Sequence, residues 1–231
     1  MQLDLLKRLN AARASRQAAV VVSDLASGEV RLILEGEPVA GPLGDEVGKA
    51  FRSGKAGTVE VEGKNLFLNV HLPPPRIVVI GAVHISQALA RMAPVAGYDL
   101  TIIDPRTAFA TEERFEGVEL IADWPEDVLK DRRLDAYTAL AAVTHDPKID
   151  DFPLSEALRS GCFYVGALGS RKTHAKRVER LKALGRSEAE IARISAPIGL
   201  DIGAASPAEI ALATLAQIVQ AFRRRDIVSA R

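Results

Sequence analysis

Gly81-Ala82-Val83-His84-Ile85-Ser86 follows four consecutive apolar residues, Ile77-Val78-Val79-Ile80, and leads into Ile85, Ala88, Leu89 and Met92 at helical spacing. A strand, a turn and a helix in that order form the place where backbone amides at a helix N-terminus cradle a phosphate. Gly81 can make the tight turn. Val83 stands where a second glycine would let the backbone approach a pyrophosphate, and its β-branched side chain intrudes into that space. Asp104, about twenty residues after the turn and at the end of the next apolar run, has the position from which a carboxylate takes an adenosine ribose. The turn reads either as a loop that binds a nucleotide or another phosphate, or as a plain βα turn. His84 opens the helix, where it either hydrogen-bonds a ligand or caps the turn.

Two further turns carry polar groups in comparable places. Thr144-His145-Asp146 closes an apolar run, and the carboxyl ends of parallel strands line the crevice that ligands of such sheets use. His145 is therefore a second ligand candidate, the alternative being a polar cluster that satisfies nearby backbone groups. Gly169-Ser170-Arg171-Lys172 brings amides, a hydroxyl and two cations to a helix start, which favours an anion and makes Gly169, Ser170, Arg171 and Lys172 a candidate phosphate or pterin-phosphate contact. The cations that follow, Lys176, Arg177, Arg180 and Lys182, read as a solvated helix face. In Pro197-Ile198-Gly199-Leu200-Asp201-Ile202-Gly203-Ala204, Asp201 either binds a ligand or fixes a constrained loop through backbone hydrogen bonds.

Other chemistries lack their residues. His71, His84, His145 and His174 lie far apart without paired helical spacing, so no metal site is expected. There is no Gly-x-Ser-x-Gly elbow, no Walker lysine loop and no kinase-type glycine-rich strand, and no residue is assigned a catalytic role. Cys162 begins an apolar strand, where a thiol usually behaves as a small buried hydrophobe, the alternative being a reactive group.

The elements that must position these residues fall into two groups, separated by Pro73-Pro74-Pro75, which removes backbone donors and extends the chain. Before the prolines, a short helix with Leu3, Leu6 and Leu9 on one face precedes strands at Ala18–Val22 and Glu29–Leu34, divided by a Ser27-Gly28 turn. A hairpin follows, Thr58–Val61 with Leu66–Val70. Residues 1–72 are thus expected to form a small α+β domain, and 76–231 a second domain in which apolar runs alternate with amphipathic stretches. Strands are expected at Ile77–Ile80, Leu100–Ile103, Val118–Ile121, Ala136–Val143 and Phe163–Ala167. Helices are expected over Glu126–Arg133, Leu154–Arg159, His174–Leu184 and Pro207–Arg223, the last opened by a Ser206/Glu209 capping box with Pro207 in its first turn. The fold class is α/β, a Rossmann-like doubly wound parallel sheet with a small N-terminal α+β domain.

Composition bounds the partners. The 231 residues carry 30 basic and 30 acidic side chains, with 48% hydrophobic and 26% charged residues, so an ordered globular chain without a broad footprint for nucleic acid or anionic lipid is expected. No run approaches the ~18 apolar residues of a membrane span. The opening residues, Met1 to Arg8, do not form a signal-type block, and one cysteine fits a reducing, cytoplasmic setting.

Taken in order, Gly81-Ala82-Val83-His84, Ile103-Asp104-Pro105-Arg106, Phe109 to Phe115, Thr144-His145, Gly166 to Arg171 and Pro197 to Ala204 give a chain that resembles the XdhC/CoxI family from about Arg76 to Arg223. The resemblance implies an accessory protein of xanthine dehydrogenase and related molybdenum hydroxylases. Such a protein binds the molybdenum cofactor (molybdopterin), protects it while a cysteine desulfurase installs the terminal sulfur, and delivers it to the apo-enzyme. It implies a non-enzymatic chaperone, a homodimer, and a cofactor-binding set of Gly81, Val83, His84, Asp104, Arg106, Thr144, His145, Gly169, Ser170, Arg171 and Asp201. Two departures matter: Val83 replaces the family's usual glycine, which weakens NAD(P) binding, and Gly41 to Val47 lacks the cysteine of the Gly-Gly-Cys motif found in longer members. The rival expectations are a Rossmann-type NAD(P)-binding oxidoreductase and a ligand-free docking module for a molybdoenzyme.

Overall fold

The computed structural model describes residues 3–224. Met1, Gln2 and residues 225–231, which belong to the opening segment and to the end of the expected second domain, lie outside the described residues. The chain forms two compact units, divided between Pro73 and Pro74.

The first unit holds α1 (Leu3–Ala14), β1 (Ala19–Asp24), β2 (Val30–Leu34), α2 (Gly41–Ser53), β3 (Gly57–Val61) and β4 (Lys64–His71). Its four strands pair antiparallel in the order β2-β1-β4-β3. Glu62 and Gly63, with φ of 51° and 76°, form the two-residue loop between β3 and β4, the geometry that matches strand twist in tight hairpins. The stripe that α1 buries is Leu5, Leu9 and Ala12, not Leu3, Leu6 and Leu9; Leu3 and Leu6 are exposed. A spacing of three, repeated, drifts around the helix, whereas i, i+4, i+7 stays on one face. Helix α2, absent from the sequence expectation, starts with Pro42 in its first turn, buries Val47, Ala50 and Phe51, and ends on Gly54 in the left-handed region.

The second unit contains β5 (Arg76–Ile80), α3 (His84–Met92), β6 (Asp99–Ile103), a 3₁₀ turn (Glu112–Arg114), β7 (Glu119–Ile121), α4 (Pro125–Asp131), β8 (Thr138–Ala142) and α5 (Pro147–Arg159). It continues through β9 (Tyr164–Ala167), α6 (Arg171–Ala183), α7 (Glu188–Ile191), β10 (Ile194–Ser195) and α8 (Pro207–Arg224). All its strand pairings are parallel, in the order β10-β9-β8-β5-β6-β7. Taking β5 as first strand, this is the doubly wound order 3-2-1-4-5-6, with its reversal point between β5 and β8.

Alternation along β5 explains the two layers. Ile77 and Val79 face α3 and α8 through Ile85, Leu89, Ala211, Leu215 and Ile218, while Val78 and Ile80 face α4, α5 and α6 through Val128, Leu129, Ile149, Leu154 and Leu181. Full burial of Leu89 or Ile218 contributes about 2 kcal/mol each. The capping box at α8 is present, with Glu209 accepting from the Ser206 amide and Ser206 Oγ from the Glu209 amide. No helix among the described residues is long and apolar enough to cross a membrane.

Candidate functional site

The carboxyl edge of the parallel sheet is built by three turns. At the reversal point, Gly81 has φ of 118°, and a Cβ there would lie 2.7 Å from Thr144 Cγ2 and 3.3 Å from the Thr144 amide nitrogen. The β5 turn and the β8 turn are therefore packed directly on one another, and Gly81 is required by closeness as well as conformation. Val83 adopts extended backbone before α3, offers no side-chain cap, and packs against the core; His84, the first residue of α3, is exposed.

Asp104 is not placed to take a ribose. It is fully buried; Oδ2 accepts from the Ala82 amide at 2.7 Å and from Arg106 Nη2 at 2.8 Å, and Oδ1 accepts from the Arg106 amide and Nε, each at 2.9 Å. These bonds occupy its acceptor sites, so Asp104 holds the Gly81 turn and orients Arg106 instead. Burial alone would raise its carboxyl, but the hydrogen bonds from Arg106 and Ala82 outweigh it and hold the group below the usual carboxylate range. Arg106, whose guanidinium lies 4.7 Å from the Phe109 ring centroid, also sits in the field of Asp146 and Asp150.

Thr144 is likewise occupied internally. Its hydroxyl donates to Asp150 Oδ1 at 2.7 Å and accepts from the Asp146 amide at 3.0 Å. Asp146 caps α5 by accepting from the Lys148 amide at 2.9 Å, with Pro147 in the first turn. Between them His145 is exposed in the left-handed region, with φ of 67°. That conformation is unfavourable for a residue with a Cβ and presents the imidazole at the rim of the edge.

A cavity of about 260 Å³ opens beside this turn, between α5 and α6. From the α5 side it is lined by His145, Pro147 and Asp150. From α6 come Lys172, Thr173, Lys176, Arg177 and Arg180. Lys172, Lys176 and Arg180 recur at i, i+4 and i+8, so three cations share one helix face. Arg180 is held in a bidentate pair with Asp151, whereas Lys172 and Lys176 are exposed and form no ion pair among the described residues. Arg177 is only 2% exposed, so the solvated face expected of this helix is corrected at that position. Its Nη2 donates to the Leu168 carbonyl at 2.9 Å, while Nε and Nη1 have no partner among the described residues. Asp150 is 1% exposed, its Oδ2 is unpartnered among the same residues, and burial, against Thr144 and Arg177, pushes its carboxyl up to about 6.

The remaining expected residues divide. Ser170 caps α6 through the Thr173 amide, and Gly169 has φ of 133° with space for a Cβ only 3.2 Å from Thr173 Cβ, so both shape the cavity wall without lining it. Arg171 begins α6 and is exposed outside the lining. Asp201 is exposed and makes no hydrogen bond among the described residues. Cys162 is buried, and that burial pushes its thiol up to about 12, which suits a hydrophobe rather than a thiolate. Lys172 was expected as one of two cations at the start of α6, whereas Asp150 was not singled out and Lys176, Arg177 and Arg180 were read as a solvated face. The signal available was an ionisable residue on a helix's apolar stripe: Asp150, Pro153, Leu154 and Ala157 on α5, and Arg177, Val178 and Leu181 on α6.

Residues 77–218 match the XdhC Rossmann domain family. Among curated relatives, the uncharacterized protein YqeB of Escherichia coli is 31% identical over 169 residues, 68% of this chain and 29% of its own length. A probable xanthine dehydrogenase component of Bacillus subtilis is 30% identical over 165 residues, covering 71% of this chain and 48% of that protein. The molybdenum cofactor insertion chaperone PaoD of Escherichia coli is 31% identical over 146 residues, covering 63% and 40% respectively. This chain thus spans less than half the length of each of these three proteins. A crystal structure of a xanthine dehydrogenase from Bacillus halodurans shares the fold with a TM-score of 0.64 at 24% identity, over 96% of this chain and 65% of that one. With its Rossmann domain matched over most of its length, the chain belongs to the XdhC family.

Proposed function

We propose that this chain binds the molybdenum cofactor as cargo and helps its sulfuration and its insertion into a xanthine dehydrogenase-type molybdenum hydroxylase. The observation that carries the reading is the cationic cavity at the sheet's carboxyl edge, where Lys172 and Lys176 are free of ion pairs among the described residues and Arg177 has unmade hydrogen bonds. Molybdopterin is a polar pterin with a phosphate, and holding it needs donors, cations and an acceptor rather than a general base. The residues present fit that demand: two ammonium groups without ion pairs among the described residues and the first turn of α6 suit the phosphate, and His145 at the rim offers a group to the polar ring. The names of PaoD and of the Bacillus subtilis relative support the same role.

Within this proposal a cysteine desulfurase and the apo-hydroxylase are partners, the chaperone works as a homodimer in the cytoplasm, and no chemical step belongs to the chain itself. Hydride transfer with NAD(P) draws no support from Asp104, whose acceptors are occupied, or from Val83. The test is anaerobic incubation with molybdopterin followed by size exclusion: retention of cofactor with the protein is expected, and its complete separation would refute the reading.

A further inference from the structure

Arg177 poses a problem that the folded chain does not solve by itself. A guanidinium carries five N–H donors and stays charged, so burying it with Nε and Nη1 unpartnered among the described residues sacrifices hydration that none of them returns. The obvious internal remedy would be Asp150, which lies across the same cavity on α5, but the two form no ion pair. Asp150 Oδ2 is likewise unpartnered among the described residues, and Oδ1 is committed to Thr144. Both side chains line the same cavity, and each keeps buried polar atoms that no described residue partners.

We propose that Arg177 is the buried anchor of a phosphate-monoester subsite, with Lys172 and Lys176 at its mouth and Asp150 opposite. The ligand class follows from the donors. A tetrahedral anion can accept from a guanidinium fork at one oxygen pair and from ammonium groups at another, which a planar carboxylate does less completely. Lys172 and Lys176 stand one turn apart on α6, at its N-terminal half where the helix dipole favours negative charge. A protonated phosphate oxygen can donate to Asp150 Oδ2, giving that atom the partner it lacks. This subsite lies between α5 and α6, and its lining does not include the Gly81 turn, where the sheet's topology would place a pyrophosphate. It rests on the cargo reading only in assigning the phosphate to molybdopterin.

The test is titration of the full chain with inorganic phosphate and with methyl phosphate at fixed ionic strength, followed by calorimetry and ³¹P NMR, with acetate as control. Saturable binding of both phosphates and none of acetate is expected. Arg177→Lys keeps the charge but loses the fork, and should weaken phosphate by about tenfold. Lys172→Gln with Lys176→Gln changes only exposed positions, so it carries the test should Arg177→Lys not fold; a loss of about tenfold is expected. Lys182→Gln, on the same helix but paired with Glu188, should leave affinity unchanged. Absence of saturable phosphate binding, or unaltered affinity in the double lysine variant, overturns the subsite. Phosphate binding without molybdopterin uptake would refute the cargo reading and leave the subsite standing. Molybdopterin uptake indifferent to the double variant and to excess phosphate would do the reverse.

Discussion

Asp150 and Arg177 line one cavity from neighbouring helices, each almost wholly buried and each with polar atoms unpartnered among the described residues, yet no ion pair joins them. Burial, the largest influence on Asp150, raises its carboxyl to about 6, while Arg177 and the hydrogen bond from Thr144 pull the other way. Arg106, Arg177 and Arg180 are the cations whose fields reach it, and Asp146 and Asp151 the neighbouring acids. A charge is therefore held where solvent does not stabilise it, which has consequences for stability and for binding.

The stability consequence has a definite sign. Asp150 takes up its proton more readily folded than unfolded, so its contribution is fully present below about pH 4 and is lost as pH rises through about 6. The loss amounts to about 3 kcal/mol across that window. Carboxylates held low, such as Asp104, act in the opposite direction, so the comparison is between wild type and Asp150→Asn. Urea unfolding from pH 4 to 7 should show the variant gaining on the wild type as pH rises; parallel curves would contradict the assignment.

Phosphate affinity should move with the same group. Asp150→Asn keeps an oxygen that can accept from a protonated phosphate but removes a negative charge facing the anion, so at pH 7 calorimetry should find phosphate bound several-fold more tightly than by wild type. Weaker binding would mean that the carboxylate itself is required.

The Gly81 turn is structural. Gly81→Ala combines a positive φ of 118° with a Cβ 2.7 Å from Thr144 Cγ2, and a loss of about 2–4 kcal/mol in thermal or chemical unfolding is expected. Because Asp104 is saturated, titration with NADH, followed through Trp124 emission, should show no saturable change in wild type or in Val83→Gly. Restored binding in Val83→Gly would show that the turn retains a dinucleotide site.

His145 tests whether backbone strain serves the cavity. His145→Gly relieves a positive φ at an exposed position and should raise stability by up to about 1 kcal/mol, while lowering molybdopterin retention. A variant as competent in retention as wild type would confine His145 to a turn role.

Much of the architecture was legible because its signals are local. The runs at Ile77–Ile80 and Leu100–Ile103 and the capped start of α8 are visible in the sequence and present in the structure. Strand β10 and helix α7, two and four residues long, are too short to show a period. Helix α2 was hidden by Gly41, Pro42, Gly44 and Gly48, although Val47, Ala50 and Phe51 carry helical spacing. The early part of α5 was hidden by Pro153, which the helix accommodates; its true start is the Asp146-Pro147 cap, and moving it back places Asp150 on the buried stripe. Asp104 shows the limit of position as a guide: its place in the chain suits a ribose, but Arg106, two residues on, folds back and takes its carboxylate. Arg177 shows the complementary limit, since its charge alone suggested solvent while α6's packing against α5 buried it.

The most direct measurement is cofactor transfer. Wild-type protein and the Lys172→Gln/Lys176→Gln variant are loaded anaerobically with sulfurated molybdenum cofactor, stripped of free cofactor, and mixed with an apo-xanthine dehydrogenase whose activity is followed over time. Wild type should restore hydroxylase activity faster than an equal amount of free cofactor, and the variant should carry little cofactor and restore little. Activation by free cofactor at the same rate, with or without this protein, would contradict the cargo role.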